Sequence, residues 1–237
     1  MSSEGICRSA ETRLEEAEER LLDMADGVSS SAEVVGTALD EESAEILYGG
    51  EIAPHSSLSS FLSLRIFRNG RLGGAGGTSA APGKLLDMAI STARVGPRAR
   101  FDFPGSTSSG ELNLTDPGVE TLGCGDLFEA LKRLRREAGA VYPYSTLEGG
   151  ITVRRMRVGI RNSRGLQASY RKALLEWDLQ LLVPTSEGLV TFTSAGATCR
   201  PTELPGAELL RTLPDHGMLS RTRGAPSGSL PVVFAPE

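Results

Sequence analysis

Apolar residues recur at helical spacing in three main stretches of this chain. Leu14, Ala17, Leu21 and Ala25 fall three and four apart, which predicts a helix over Ser9–Ala25 with Glu15, Glu16, Glu19 and Arg20 on its other side. Asp26-Gly27 ends it, because glycine tolerates the left-handed conformation found at helix C-termini. Leu85, Leu86, Ala89, Ile90 and Ala93 form a second stripe, opened by Pro82 and stopped by Gly96-Pro97. Leu127, Ala130, Leu131 and Leu134 form a third, with Asp126 and Glu129 spaced as a capping box and Gly139 as terminator. A short helix is expected near Glu203–Leu213.

Between these stretches the period changes to two. Ala32–Ala38 and Glu45–Tyr48 read as two short strands. Leu62, Leu64 and Ile66 alternate with Ser63, Arg65 and Phe67, the pattern of a half-buried strand. Asn69-Gly70 then signals a tight hairpin, since both residues tolerate positive φ, and the glycine-rich segment Arg71–Thr78 returns from it. Ile151 and Val153 share one parity and Met156, Val158 and Ile160 the other, so a bulge is expected near Arg154-Arg155. Arg161-Asn162-Ser163-Arg164-Gly165 reads as a turn. Leu166–Val183 alternates over a long span with Leu175, Trp177, Leu179, Leu181 and Val183 on one face, and Leu189–Thr193 pairs with it. The fold class expected is α+β: antiparallel or mixed sheets packed with a few amphipathic helices. Residues 97 to 123 carry no period and mark a soft boundary. A two-layer amino-terminal domain (1–110) would precede a β-rich region (111–237). The tail from Asp215 to Gly228 is polar, and Leu230–Ala235 looks like the start of a buried strand. Because the chain stops just after it, at Pro236-Glu237, a fragment or a natural truncation is expected, with a carboxy-terminal domain missing.

Composition narrows the classes. Of 237 residues, 39% are hydrophobic and 23% charged, enough apolar surface for a core and against global disorder. A net charge of −5 argues against nucleic acid as partner, since phosphate binding needs a concentrated positive surface. The clusters Lys132–Arg136 and Arg154–Arg157 then read as a solvated helix face and a polar strand face. No run is long enough to span a membrane. Three scattered cysteines fit a reducing compartment better than a disulfide framework, and the start lacks a basic region followed by an apolar run. A cytoplasmic location is expected.

Chemistry-bearing patterns are sparse. His55 and His216 have no second ligand at metal spacing, and there is no Cys-x-x-Cys. Cys124 precedes a helix, where a thiol pKa can fall, but has no histidine near it in sequence. Gly73–Gly77 lacks the Gly-Lys-Ser/Thr of a phosphate loop and reads better as close backbone approach. The Ser106–Ser109 run lacks a Gly-x-Ser-x-Gly elbow. No catalytic residue and no metal ligand is assigned in this chain.

The order of pieces nevertheless resembles a known family. A helix ends in Asp26-Gly27 and Ala32-Glu33-Val34 begins a strand. Leu64-Arg65-Ile66-Phe67-Arg68-Asn69-Gly70-Arg71-Leu72-Gly73 follows, then the helix with Leu85, Leu86 and Ala93, then Ile160–Leu166, and finally Leu230–Glu237. Together these resemble the amino-terminal half of the TldD/PmbA (TldE) family of metallopeptidase-related proteins, slightly nearer PmbA. The resemblance implies a subunit of a zinc-dependent complex acting on unfolded peptides or modified precursors. The zinc would be held by a TldD-like partner in a His-Glu-x-x-x-His motif, with a heterodimer or a homodimer as the assembly. On that footing this chain has no cofactor of its own and is not catalytic alone. Arg65, Asn69, Arg71, Asn162 and Ser163 are the candidate peptide contacts, against a turn-forming role for Asn69, Asn162 and Ser163. Two other readings remain: a non-catalytic module that adds a peptide strand along Leu166–Val183, and an independent enzyme using Cys124 or the serine-rich loop.

Overall fold

The computed structural model describes residues 3–78, 81–106, 112–186 and 188–200, with the side chains of 3–10 and 113 outside that description. The helix expected near 203–213, the strand at 230–235 and His216 therefore lie outside the described residues. The class is α+β. In chain order the elements are α1 (Ser3–Asp26), β1 (Ser31–Ile46), β2 (Ile52–Arg68), β3 (Arg71–Gly77), α2 (Pro82–Val95), β4 (Leu112–Leu114), α3 (Pro117–Glu120), α4 (Cys124–Val141), β5 (Thr146–Asn162), β6 (Gln167–Thr185) and β7 (Gly188–Thr198).

The described strands form one sheet in the order β3-β2-β1-β5-β6-β4, with β7 also on β6. All pairings are antiparallel except that of β4 with β6. The sheet takes strands from both sides of residue 110. Two apolar clusters lie on one of its faces. In the first, α1 (Leu14, Leu21, Ala25) and α2 (Leu85, Leu86, Ala89, Ala93) pack on Ala32, Val34, Leu62, Leu64 and Ile66. In the second, α4 (Leu127, Leu131, Leu134, Ala138) packs on Ile151, Val153, Leu175, Leu179 and Leu181. Each fully buried Leu or Ile in these layers is worth roughly 1.5–3 kcal/mol. At Gly73 a Cβ would stand 2.2 Å from the Ala89 carbonyl oxygen, so glycine is what lets α2 lie this close to β3.

Several boundaries differ from those read in the sequence. Ala32–Ala38 and Glu45–Ile46 belong to one strand. The acidic stretch between them stays extended because Asp40 and Glu41 lie opposite Arg155 and Arg154 on β5. β2 begins at Ile52, and its Pro54 is tolerated because β3 covers only Leu62–Arg68. The segment 97 to 123 holds β4 and α3. α4 starts at Cys124, so Asp126 is its third residue and accepts from the Gly123 N–H (2.9 Å), and the helix runs past Gly139 to Val141. No bulge interrupts β5: its register on β1 is unbroken from Asn162 to Gly149. The parity holds because Arg155 and Arg157 keep the side of the buried residues Ile151 and Val153, in place of apolar side chains. The hairpin at Asn69-Gly70 is as expected, with φ of 51° and 70°.

Candidate functional site

Register assigns every strand residue to one of two faces. Even positions of β1 and odd positions of β5 and β6 meet the helices. The other face holds no helix among the described residues. It carries Val35 and Leu39 of β1, Phe61 of β2, Met156, Val158 and Ile160 of β5, Tyr170 and Leu174 of β6, and Leu112 and Leu114 of β4. Leu112 is 63% exposed, Leu114 45% and Phe61 44%, so this is a broad, half-exposed apolar surface.

A strap, residues 96 to 104, crosses one end of that face. It starts at the β3 edge, where Leu72 N–H donates to the Pro97 carbonyl and Ala99 N–H to the Gly70 carbonyl, each at 2.9 Å. Arg71 Nη1 donates to the Gly96 carbonyl (2.7 Å). Phe103 then stacks on Phe67, ring centroids 4.5 Å apart, with Phe101 edge-on at 5.2 Å. Finally Asn162 Nδ2 donates to the Pro104 carbonyl (2.9 Å). Beneath the strap, Arg65, Glu33 and Asn162 occupy one row across β2, β1 and β5. Arg65 Nε donates to Glu33 Oε1 (3.0 Å), and the Arg65 guanidinium carbon lies 5.3 Å from the Phe103 ring centre. Glu33 is only 2% exposed and pairs with that guanidinium.

The five residues singled out from the sequence thus fall at this same end of the sheet. Arg65, Arg71 and Asn162 hold the strap. Asn69 makes the hairpin beside it. Ser163 Oγ accepts from the Ala32 N–H (2.9 Å), joining the β5–β6 turn to the start of β1. Asn162 also accepts from Arg164 N–H and Leu166 N–H through Oδ1, at 2.9 and 3.1 Å. Their partners Glu33 and Phe103 were missed, although Glu33 stands directly opposite two of the chosen residues.

Two ion-pair clusters on the helical face also escaped the sequence reading. Glu18 of α1 is fully buried over Gly36 and Gly159, where any Cβ would meet its carboxylate. Its Oε1 accepts from Arg157 Nη1 at 2.8 Å and its Oε2 is 3.3 Å from Arg161 Nε. Arg157, 4% exposed, also pairs with Glu15 at 3.1 Å, and Glu11 and Glu19 take Arg171 and Arg161 at 2.5 Å each. In the basic run at Arg154–Arg157, Arg154 is exposed as a polar strand face requires, whereas Arg155 and Arg157 are drawn in by carboxylates. In the second cluster Arg155 Nη1 is 3.1 Å from Asp40 Oδ2 and 3.4 Å from Glu42 Oε1, and its Nε donates to the Glu120 carbonyl (2.8 Å). Burial pushes the Asp40 carboxyl above its ordinary value, against the pull of Arg155.

Glu42 Oε2 accepts from the Cys124 N–H (2.6 Å) and so fills the N-terminus of α4 with the protein's own carboxylate. Burial raises the Cys124 thiol, and the neighbouring Glu42 raises it further. Its Sγ donates to the His55 carbonyl (3.2 Å) rather than meeting an imidazole. A thiol held this way is a poor nucleophile, which removes the support for an enzyme built on Cys124. Among the described residues no three His, Cys, Asp or Glu side chains converge as metal ligands, and no helix is long and apolar enough to cross a membrane. A cleft of about 450 Å³ lies beyond the apolar surface, between Ser43, Glu45, Thr152, Arg154, Glu176 and Asp178, with Gly149 and Gly150 leaving its floor bare.

No family model and no curated protein matches this chain. Solved structures do match it. TldE from Thermococcus kodakarensis superposes with a TM-score of 0.72 at 16% identity, over 82% of this chain and 46% of that one. The chain has the fold of TldE. Two proteins named as candidate modulators of DNA gyrase share that fold. The one from Thermotoga maritima gives a TM-score of 0.68 at 15% identity (83% of this chain, 46% of that one). The one from Bacteroides thetaiotaomicron gives 0.64 at 15% (78% and 45%). The chain spans about half the length of these structures.

Proposed function

We propose that this chain is the peptide-holding and assembly part of a TldE/PmbA-type subunit, with peptide-bond cleavage supplied by zinc on a TldD-like partner. The observation that carries it is the open sheet face, found in a chain with the TldE fold at a TM-score of 0.72. A wide apolar surface on one side of a charged, otherwise well-packed domain is what association with a partner or an unfolded chain needs. In this reading the chemistry belongs to the partner, where a metal would activate water and polarise the peptide carbonyl.

The test is reconstitution. The chain and a TldD-like protein would be expressed together, purified through a tag on one, and assayed on an unfolded polypeptide with and without a chelator. Co-purification with chelator-sensitive cleavage, faster than that of the TldD-like protein alone, is expected. Two proteins that elute apart, with cleavage unchanged on mixing, would defeat the proposal.

A further inference from the structure

The margins of the sheet are treated unequally. β3 is plugged: besides the bonds to Pro97 and Ala99, Thr92 Oγ1 accepts from the Gly74 N–H and donates to the Gly74 carbonyl, each at 2.9 Å. The stretch of β2 beyond β3 is broken by Pro54, and its His55 carbonyl is taken by Cys124. β4 is three residues long. Short strands, proline and plugging contacts are the usual devices that stop an edge from recruiting another strand. Among the described residues β7 has none of them. Its sequence, GLVTFTSAGAT, holds no charge and no proline, and its register on β6 is unbroken from Thr198 to Gly188. No described residue pairs with its outer side.

Thr191, Thr193 and Ala195 are exposed on the open face. Val190 and Phe192, on the other, pack against the α4 core cluster. A strand laid beside β7 would lengthen that core and meet, on the opposite face, Leu189 and otherwise small side chains. Along β7, at about 3.3 Å per residue, main-chain groups are presented over roughly 36 Å. We infer that the outer edge of β7 binds an extended segment of an unfolded polypeptide by main-chain pairing, with little dependence on its sequence. This corrects the expectation for Leu166–Val183: that segment is β6, paired with β5 on one side and with β4 and β7 on the other, so the accepting edge lies one strand further out. A second copy of this chain is a weaker fit. Of the β7 side chains only Leu189, Val190 and Phe192 are large and apolar, too few for the roughly 1,200–2,000 Å² that stable protein pairs bury.

The inference rests on the peptide-holding reading for its occupant, and one experiment separates the two. Fluorescently labelled reduced and carboxymethylated α-lactalbumin, an unfolded probe, is titrated onto the full chain and onto Thr193→Lys/Ala195→Lys. Backbone hydrogen exchange is followed in the same samples. Expected are binding, about tenfold slower exchange in the complex at those amides of residues 188–198 that point away from β6, and about tenfold weaker binding by the double variant at an unchanged melting temperature. Binding that leaves those amides and the variant untouched overturns the edge and keeps the peptide-holding role. No binding at all sinks both. Protection in the free chain of the β7 amides that point away from β6 would overturn the edge as well, through the protein's own covering segment if independent of concentration, or through a second copy if not.

Discussion

Replacing Arg157 by methionine should destabilise this protein by about 3–5 kcal/mol, the cost of leaving a buried charge without its partner. Glu18 has no exposed surface, and its Oε2 accepts no hydrogen bond. Its Oε1 takes the Arg157 Nη1 bond at 2.8 Å, and Arg161 offers Oε2 only a 3.3 Å approach. The carboxylate cannot swing away to water, because it fills the space over Gly36 and Gly159. For a chain of this size the loss corresponds to a fall in melting temperature of about 6–20 °C. Urea denaturation followed by far-ultraviolet circular dichroism measures it, with an unchanged slope showing that the surface exposed on unfolding is the same. The double variant Glu18→Met/Arg157→Met removes both charges with little change of shape and should return to within about 1–2 kcal/mol of the parent. A single variant that loses less than about 1 kcal/mol, or a double variant as unstable as the single one, would refute the reasoning.

Asp40 gives a prediction in pH. A carboxyl whose folded pKa is raised binds its proton more tightly in the folded state. It therefore costs stability above that pKa, and the cost disappears as pH falls through it towards the unfolded value, 3.8. Asp40→Asn should thus be more stable than the parent at neutral pH, with the difference shrinking on acidification; a difference that grows in acid contradicts this. Asn162→Ala removes the bond to the Pro104 carbonyl and two turn bonds at a 3%-exposed position, so it should cost about 1–3 kcal/mol. Limited proteolysis within residues 97–106 should also quicken, and an unchanged cleavage rate there would show that Asn162 does not hold the strap.

The helices were legible because burial and period agree along them: Leu14, Leu21 and Ala25, then Leu127, Leu131 and Leu134, are both the sequence stripe and the packed face. The hairpin was legible because Asn69-Gly70 needs no tertiary help to favour positive φ. Where charge is buried, the same reasoning inverted. Asp40 and Glu41 interrupt the apolar pattern of β1, and Arg155 and Arg157 stand in β5 where apolar residues would carry on the parity of Ile151 and Val153, so the pattern alone reads one strand as two and the other as bulged. The partner that keeps Arg157 inside is Glu18, 139 residues away in the chain, beyond the reach of any local window. The strap was invisible for a different reason: it has no period, and its order comes from Phe103 on Phe67 and Asn162 on Pro104, contacts that exist only once the sheet is made. Of its holders, Arg65, Arg71 and Asn162 were chosen from the sequence, whereas Glu33 was not.

A usable signal was nonetheless present. Glu11, Glu15 and Glu18 repeat four and three apart on the flank of the apolar stripe of α1, and Arg157 and Arg161 keep the parity of Ile151 and Val153 in β5. Gly36 and Gly159 stand opposite each other on the adjacent strands β1 and β5, and such a glycine pair opens a hole in the sheet face. A hole needs something long to fill it, and a helix with carboxylates beside its apolar stripe, facing arginines of buried parity, supplies it. The same logic extends to the edge. Where the chain has guarded a margin, at Thr92 and Pro54, the guard is readable from side chains. The eleven uncharged residues of β7 are conspicuous because nothing of that kind was placed there. A long strand that keeps perfect register and carries no guard is, among the described residues, an incomplete pair, and the polypeptide that completes it should be sought by its main chain rather than by its side chains.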